Sequence, residues 1–191
     1  MSARPLLFAA LAACAGGGPE PAAPSRTASV AASKATDKAV EGFCEVVATE
    51  ATAKPFLMPP LAEEGPPVGN GWRWVNVWAT WCGPCVAEMP MVLKWRDRLK
   101  EQGHPTELVL LNVDDKPELL APYYAKHPDQ PKGPRAQGAA VLPAWLESNG
   151  LDPGAAIPLH FFVDPEGRTR CVRTGAIDPG DFEVVKKIVG G

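Results

Sequence analysis

Basic charge is in deficit in this sequence: 19 Lys and Arg stand against 22 Asp and Glu, for a formal net charge of -3. Without a basic excess there is no field to hold a phosphate backbone, so nucleic acid is excluded as a partner. Histidine is scarce, with His104, His127 and His160 scattered along the chain, and their spacing offers no half of a structural zinc site. No internal repeat is present. The apolar run Leu6 to Ala13 is too short to cross a bilayer as a helix. From Ala15 to Val40 there is no aromatic residue, and the stretch is mostly Ala, Gly, Pro, Ser and Thr with scattered charges. Such a segment buries too little apolar area to offset its ordering entropy, and it reads as a flexible tether.

Cysteine is plentiful, at Cys14, Cys44, Cys82, Cys85 and Cys171. That many thiols suit metal binding, redox chemistry or an oxidising compartment rather than an ordinary cytosolic protein. Residues 1–13 carry one Arg ahead of the apolar run, which reads as an export signal. The run ends in Leu11-Ala12-Ala13-Cys14, which resembles a bacterial lipobox. That resemblance implies acylation of Cys14 and a mature protein anchored to a membrane on the periplasmic side. A plain secretory signal that leaves Cys14 as an idle thiol is the alternative.

With residues 14–40 as tether, the folded part is expected over 41–191, a usual size for one domain. Trp72 to Ala79 is aromatic and β-branched after Gly69-Asn70-Gly71, and reads as a strand. A helix is expected from Val86 to Gln102, stopped by Gly103, followed by a buried strand from Leu108 to Val113. Pro117 to Lys126 reads as a short helix with Asp114 or Asp115 near its start, Pro128 to Gly138 as a surface loop, and Ala139 to Ser148 as another helix. Leu159 to Val163 and Thr169 to Thr174 form a hairpin across Asp164-Pro165-Glu166-Gly167. Asp181 to Val189 closes the chain as a helix capped by Asp178 or Asp181. This order predicts an α/β fold with a central mixed β-sheet flanked by helices.

Chemistry concentrates in Trp81-Cys82-Gly83-Pro84-Cys85, where a strand gives way to a helix. Both sulfurs then lie in the first helical turn, where free N–H groups and the helix dipole favour a thiolate. Cys82 is expected to be exposed and to attack a disulfide, and Cys85, one turn in, to resolve the mixed disulfide. The pair carries its own electrons, so no cofactor is expected.

The segment from Val75 to Pro90 resembles the active-site region of the thioredoxin superfamily, most closely its exported TlpA, ResA and DsbE branch. The looser resemblance runs from about Pro55 to the C-terminus and includes Ile157-Pro158 followed by Phe161 to Gly167. It implies a thioredoxin-like fold, a cis bond at Ile157-Pro158 beside the cysteine pair, and an active-site wall of Trp81, Gly83, Pro84, Ile157 and Pro158. Asn76 stands where general thioredoxins have a buried Asp. Glu88, three residues after Cys85, matches the Glu of the exported branch that assists proton transfer; a solvated helix residue is the alternative. Leu159-His160 departs from the small residues or Thr usual after that proline, and His160 reads as a wall residue.

With Cys14 lipidated and the active pair set aside, Cys44 and Cys171 remain, and an oxidising compartment suggests a structural disulfide between them. The expected function is a thiol-disulfide oxidoreductase, a reductase of disulfides in exported proteins such as apocytochrome c or copper-site proteins. Its partners would be those protein substrates and a membrane thiol carrier as electron donor. A Cu(I) metallochaperone holding the ion on Cys82 and Cys85 is the alternative from a different class; peroxide reduction would need a peroxidatic Cys in another setting.

Overall fold

The computed structural model describes residues 38–65 and 69–190. The export signal, Cys14 and most of the tether lie outside the described residues. Residues 38–43 are helical, so 38–40, assigned to the tether by composition, belong to the domain instead. The reason is packing: Val40 rests on the apolar cluster that holds Phe43 and Cys44, and Cys44 N–H donates to Val40 O at 2.8 Å.

Five strands form one mixed sheet: β1 (Val46–Val47), β2 (Trp72–Trp78), β3 (Thr106–Asn112), β4 (Leu159–Val163) and β5 (Thr169–Thr174), in spatial order β1-β5-β4-β2-β3. β2 and β3 run parallel, joined by the crossover helix α1 (Gly83–Glu101), and the other pairings are antiparallel. The expected α/β architecture is therefore present. β1 has no forerunner in the sequence reading, because a two-residue strand carries no alternation to detect.

The remaining helices each begin with a 3-10 turn. The helix expected at 117–126 is a 3-10 turn, Pro117–Leu119, followed by α2 (Leu120–Lys126). The helix expected at 139–148 is Ala139–Val141 followed by α3 (Leu142–Ser148). Pro122 and Pro143 have no N–H to return to the preceding turn, so regular α pairing starts late in both. Pro179–Asp181 leads into α4 (Phe182–Gly190) with Asp178 as cap, its side chain and that of Asp181 bonding each other's backbone N–H.

On one sheet face, Trp74 and Phe162 pack against Val92, Trp95 and Leu99 of α1 and against Phe182, Val185 and Ile188 of α4. The other cluster joins Val75, Val77, Leu159 and Phe161 to Trp145 and Leu146 of α3 and to Tyr123. Each such fully buried aromatic or aliphatic side chain contributes about 1.5–3 kcal/mol of transfer free energy.

The Pro-rich segment 128–138 is not simply a surface loop. Asn112 N–H donates to Pro134 O and Ala136 N–H to Asn112 O, both at 2.9 Å, so the segment pairs with the outer edge of β3. Ala136 is fully buried. A Cβ on Gly133 would stand 2.0 Å from Leu110 O, a distance only glycine avoids.

Candidate active site

β2 ends at Trp78, a short turn follows, and α1 begins with Cys82 as its N-cap at φ -80°, ψ 98°. The helix starts at Gly83 rather than at Val86, because Pro84 in its first turn needs no N–H partner and fits a helical φ. Cys82 Sγ accepts from Cys85 N–H at 3.3 Å, and a disulfide joins the two residues with Cα atoms 5.3 Å apart. Both sulfurs thus sit at the positive end of a 19-residue helix.

Trp81 is 64% exposed and Gly83 and Pro84 are exposed, whereas Cys85 is fully buried. Cys82 is only 5% exposed, which corrects the expectation of an open sulfur. The cause is the Ile157-Pro158 segment, whose peptide bond is cis: Ile157 O lies 3.8 Å from Cys82 Sγ. Cys82, Cys85, Trp81, Gly83, Pro84, Ile157 and Pro158 therefore meet in one place.

The turn before Cys82 is held from β3. Asp114, fully buried, accepts from Thr80 N–H and Thr80 Oγ1–H, each at 2.9 Å, and from Asn112 Nδ2 at 2.7 Å. Asp114 thus does not cap α2, and neither does Asp115, whose Oδ1 accepts from Ala139 N–H at 2.6 Å. The Tyr123 phenol, pushed up mainly by burial, donates to Gln130 Oε1 at 2.8 Å beneath this region.

Behind Cys85, one turn along α1, Glu88 is 5% exposed and is no solvated helix residue. Its Oε1 accepts from Asn76 Nδ2 and its Oε2 from Ile177 N–H, both at 3.0 Å. His160 Nε2 lies 3.3 Å from Glu88 Oε1, while His160 Nδ1 accepts from Trp74 Nε1–H at 3.2 Å. His160 is fully buried and lines no groove, contrary to its reading as a wall residue. Alternation along β4 turns Leu159 and Phe161 to one face and His160 and Phe162 to the other, toward α1 and α4.

Cys44 and Cys171 are joined by a disulfide in a different place, at the contact of β5 with the start of the domain. Among the described residues, no group of three or more His, Cys, Asp or Glu side chains is placed to hold a metal ion. No helix among them is long and apolar enough to cross a membrane.

No family model matches the chain. A secreted thiol-disulfide isomerase from Corynebacterium glutamicum superposes with a TM-score of 0.56 at 21% identity, covering 79% of this chain and 95% of that one. A thioredoxin-like protein in its oxidized form gives 0.53 at 16% identity, covering 72% and 96%. In sequence, the chain is 29% identical over 107 residues to thiol-disulfide oxidoreductase ResA of Oceanobacillus iheyensis, 54% of this chain and 49% of ResA. The fold is thioredoxin-like. Thioredoxin of Streptomyces clavuligerus is 39% identical over 49 residues, 26% of this chain and 42% of its own length. The chain spans about half the length of the ResA relatives it matches.

Two features of this site were missed in the sequence. Asp114 was placed only near the start of a short helix, although an Asp directly after a buried strand parallel to the motif-bearing one is a signal for a turn anchor. The contact of His160 with Glu88 depends on the register that sets Asn76 opposite His160. No local pattern reports it.

Proposed function

We propose that the protein is a thiol-disulfide oxidoreductase that reduces disulfides in exported proteins by exchange through Cys82 and Cys85. The observation that carries this reading is the cysteine pair at the N-terminus of α1, with Cys85 N–H on Cys82 Sγ at 3.3 Å and the buried Glu88 carboxylate one turn behind. A helix N-terminus that donates to sulfur stabilises a thiolate, the form that attacks. The similarity to ResA, named a thiol-disulfide oxidoreductase, supports the same chemistry.

In the reduced protein the Cys82 thiolate attacks one sulfur of a substrate disulfide. That S–S bond breaks, a mixed disulfide forms, and the leaving sulfur takes a proton from water. Cys85 then gives its thiol proton to Glu88 and attacks Cys82 Sγ. The second substrate sulfur leaves and takes that proton from Glu88, which returns to the carboxylate, and the protein ends as the Cys82-Cys85 disulfide; the substrate has gained two electrons from the dithiol and two protons, one from water and one from Cys85. A membrane thiol carrier would restore the dithiol. Leu11-Ala12-Ala13-Cys14 supports a lipid anchor in the periplasm, with the following residues as tether, and apocytochrome c or copper-site proteins are the substrates this placement suggests.

Reduction of insulin disulfides tests the exchange. The wild type should reduce them with turnover. Cys85→Ser should stall as a mixed disulfide through Cys82, and Cys82→Ser should trap almost nothing. Trapping through Cys85 in the Cys82→Ser protein would reverse the roles, and undiminished turnover in both variants would end the catalytic reading. Mass and membrane partition of the Cys14→Ser protein test the anchor; an unchanged mass and an unchanged membrane fraction would refute it.

A further inference from the structure

His160 is a fully buried titratable group for which the exchange chemistry above has no use. Its surroundings fix its chemical form. An indole N–H only donates, so the Trp74 Nε1–H at 3.2 Å requires His160 Nδ1 to accept. Asn76 Nδ2, which donates to the Glu88 carboxylate, stands 3.3 Å from the same Nδ1. With two N–H groups facing Nδ1, a proton there is opposed, and the ring carries its hydrogen on Nε2. That Nε2 lies 3.3 Å from Glu88 Oε1, yet it is out of line for a hydrogen bond and has no other partner. A buried donor left unpaired costs about 1–3 kcal/mol. Its position beside the carboxylate of the exchange site gives it a purpose.

We propose that His160 is a positioning residue for the resolving step, holding a neutral Nε2–H donor against the Glu88 carboxylate while that carboxylate exchanges a proton with Cys85. The proposal rests on the exchange reading above. His160 moves no proton itself: the Cys85 thiol proton goes to Glu88, and the Nε2–H bond stays intact throughout. The ring supplies a fixed dipole beside Glu88 that keeps the carboxylate oriented until the thiol proton arrives. A water-filled site would have to reorganise to do the same. The groups facing His160 are few. Glu88 comes from α1, Trp74 and Asn76 come from β2, and Arg173, its register partner on β5, turns its guanidinium to Phe43 O and Ala176 O at 3.2 and 3.5 Å. From α4, Phe182, Val185, Ile188 and Val189 are buried, and Glu183, Lys186 and Lys187 are not.

The test uses the reduced full chain and 5,5'-dithiobis(2-nitrobenzoate), a small disulfide that any dithiol reduces. Attack by Cys82 releases one thionitrobenzoate, and resolution by Cys85 releases a second. His160→Leu removes both ring nitrogens, and His160→Gln restores a donor toward Glu88. We expect His160→Leu to leave the first release unchanged and to slow the second about tenfold at neutral pH, a fraction of what a positioned acid-base group supplies. The rate profile of the second release should move to higher pH, and His160→Gln should recover most of the rate. Because the Leu variant leaves the Trp74 indole N–H without an acceptor, its folding is followed by near-ultraviolet circular dichroism, and the Gln variant alone decides if Leu unfolds the chain. His160→Gln with a second release slowed tenfold or more, or His160→Leu with the wild-type pH profile, would overturn the role of His160 and leave the exchange reading standing. A wild type that releases only one thionitrobenzoate would overturn both.

Discussion

Two cystines in one domain are built for opposite ends. Cys44 and Cys171 are 127 residues apart in sequence, 6% and 0% exposed, and set in a cluster with Phe43, Trp74 and Phe162. Cys82 and Cys85 are three residues apart, with an N–H on one sulfur, an exposed Trp81 alongside and a buried carboxylate a turn away. Exposure of the sulfurs scarcely distinguishes them, since both pairs are nearly buried. The difference lies in what the sulfurs touch: an apolar cluster can only hold a disulfide, whereas a helix terminus and a buried acid can also run its exchange.

The largest effect that sharpens this contrast comes from removing the long-range bridge. Cys44→Ser combined with Cys171→Ser should cost about 4–5 kcal/mol of stability in the chain-entropy account, read from the urea midpoint. Turnover on insulin should persist wherever the double variant is folded; lost exchange in a folded protein would erase the contrast. Next, Glu88→Gln should slow the second thionitrobenzoate release about a hundredfold and leave the first intact, since it removes the proton acceptor near Cys85. An unaltered second phase would mean that this carboxylate only fills space. Asp114→Asn acts on the frame of the reactive pair. Weakening its bonds to Thr80 should lower stability by about 1–3 kcal/mol and slow the first phase as well, measured by denaturation and stopped flow. The smallest effect is expected at Arg98, whose guanidinium lies 3.7 Å from the Phe182 ring centroid. Arg98→Ala should cost about 0.5–1 kcal/mol by thermal unfolding and leave both release phases unchanged.

Much of this arrangement was readable from sequence because it is local. Strand β2, the hairpin of β4 and β5 and the crossover helix announce themselves through β-branched runs, turn residues and a stop at Gly103. The pairing of Cys82 with Cys85 needs only their spacing and their place after a strand. Glu88 could be placed one turn behind Cys85, but not its burial, because that depends on Ile177 N–H arriving from the chain after β5. His160 was misjudged for the same reason: its face is decided by the pairing of β4 with β2, which brings Asn76 opposite it from 84 residues away. Asp114 shows the limit most plainly. An aspartate before a short helix satisfies a capping rule, yet a stronger demand, two donors on Thr80, takes the side chain elsewhere.

The pairing of 134–136 with the end of β3 bears on how an unfolded client can approach. Open strand edges invite other polypeptides to add themselves by backbone bonding, productively as ligands or destructively as aggregates. Asn112, level with Trp78 at the end of the sheet that bears the cysteine pair, has both its N–H and its C=O already taken by the chain's own loop. A protein substrate of the proposed reductase would thus be denied a zippering contact at that position and would meet the sulfurs near Trp81 and Ile157. Contacts of that kind release quickly, which would suit the proposed reductase, since its substrates would have to depart once their thiols are free.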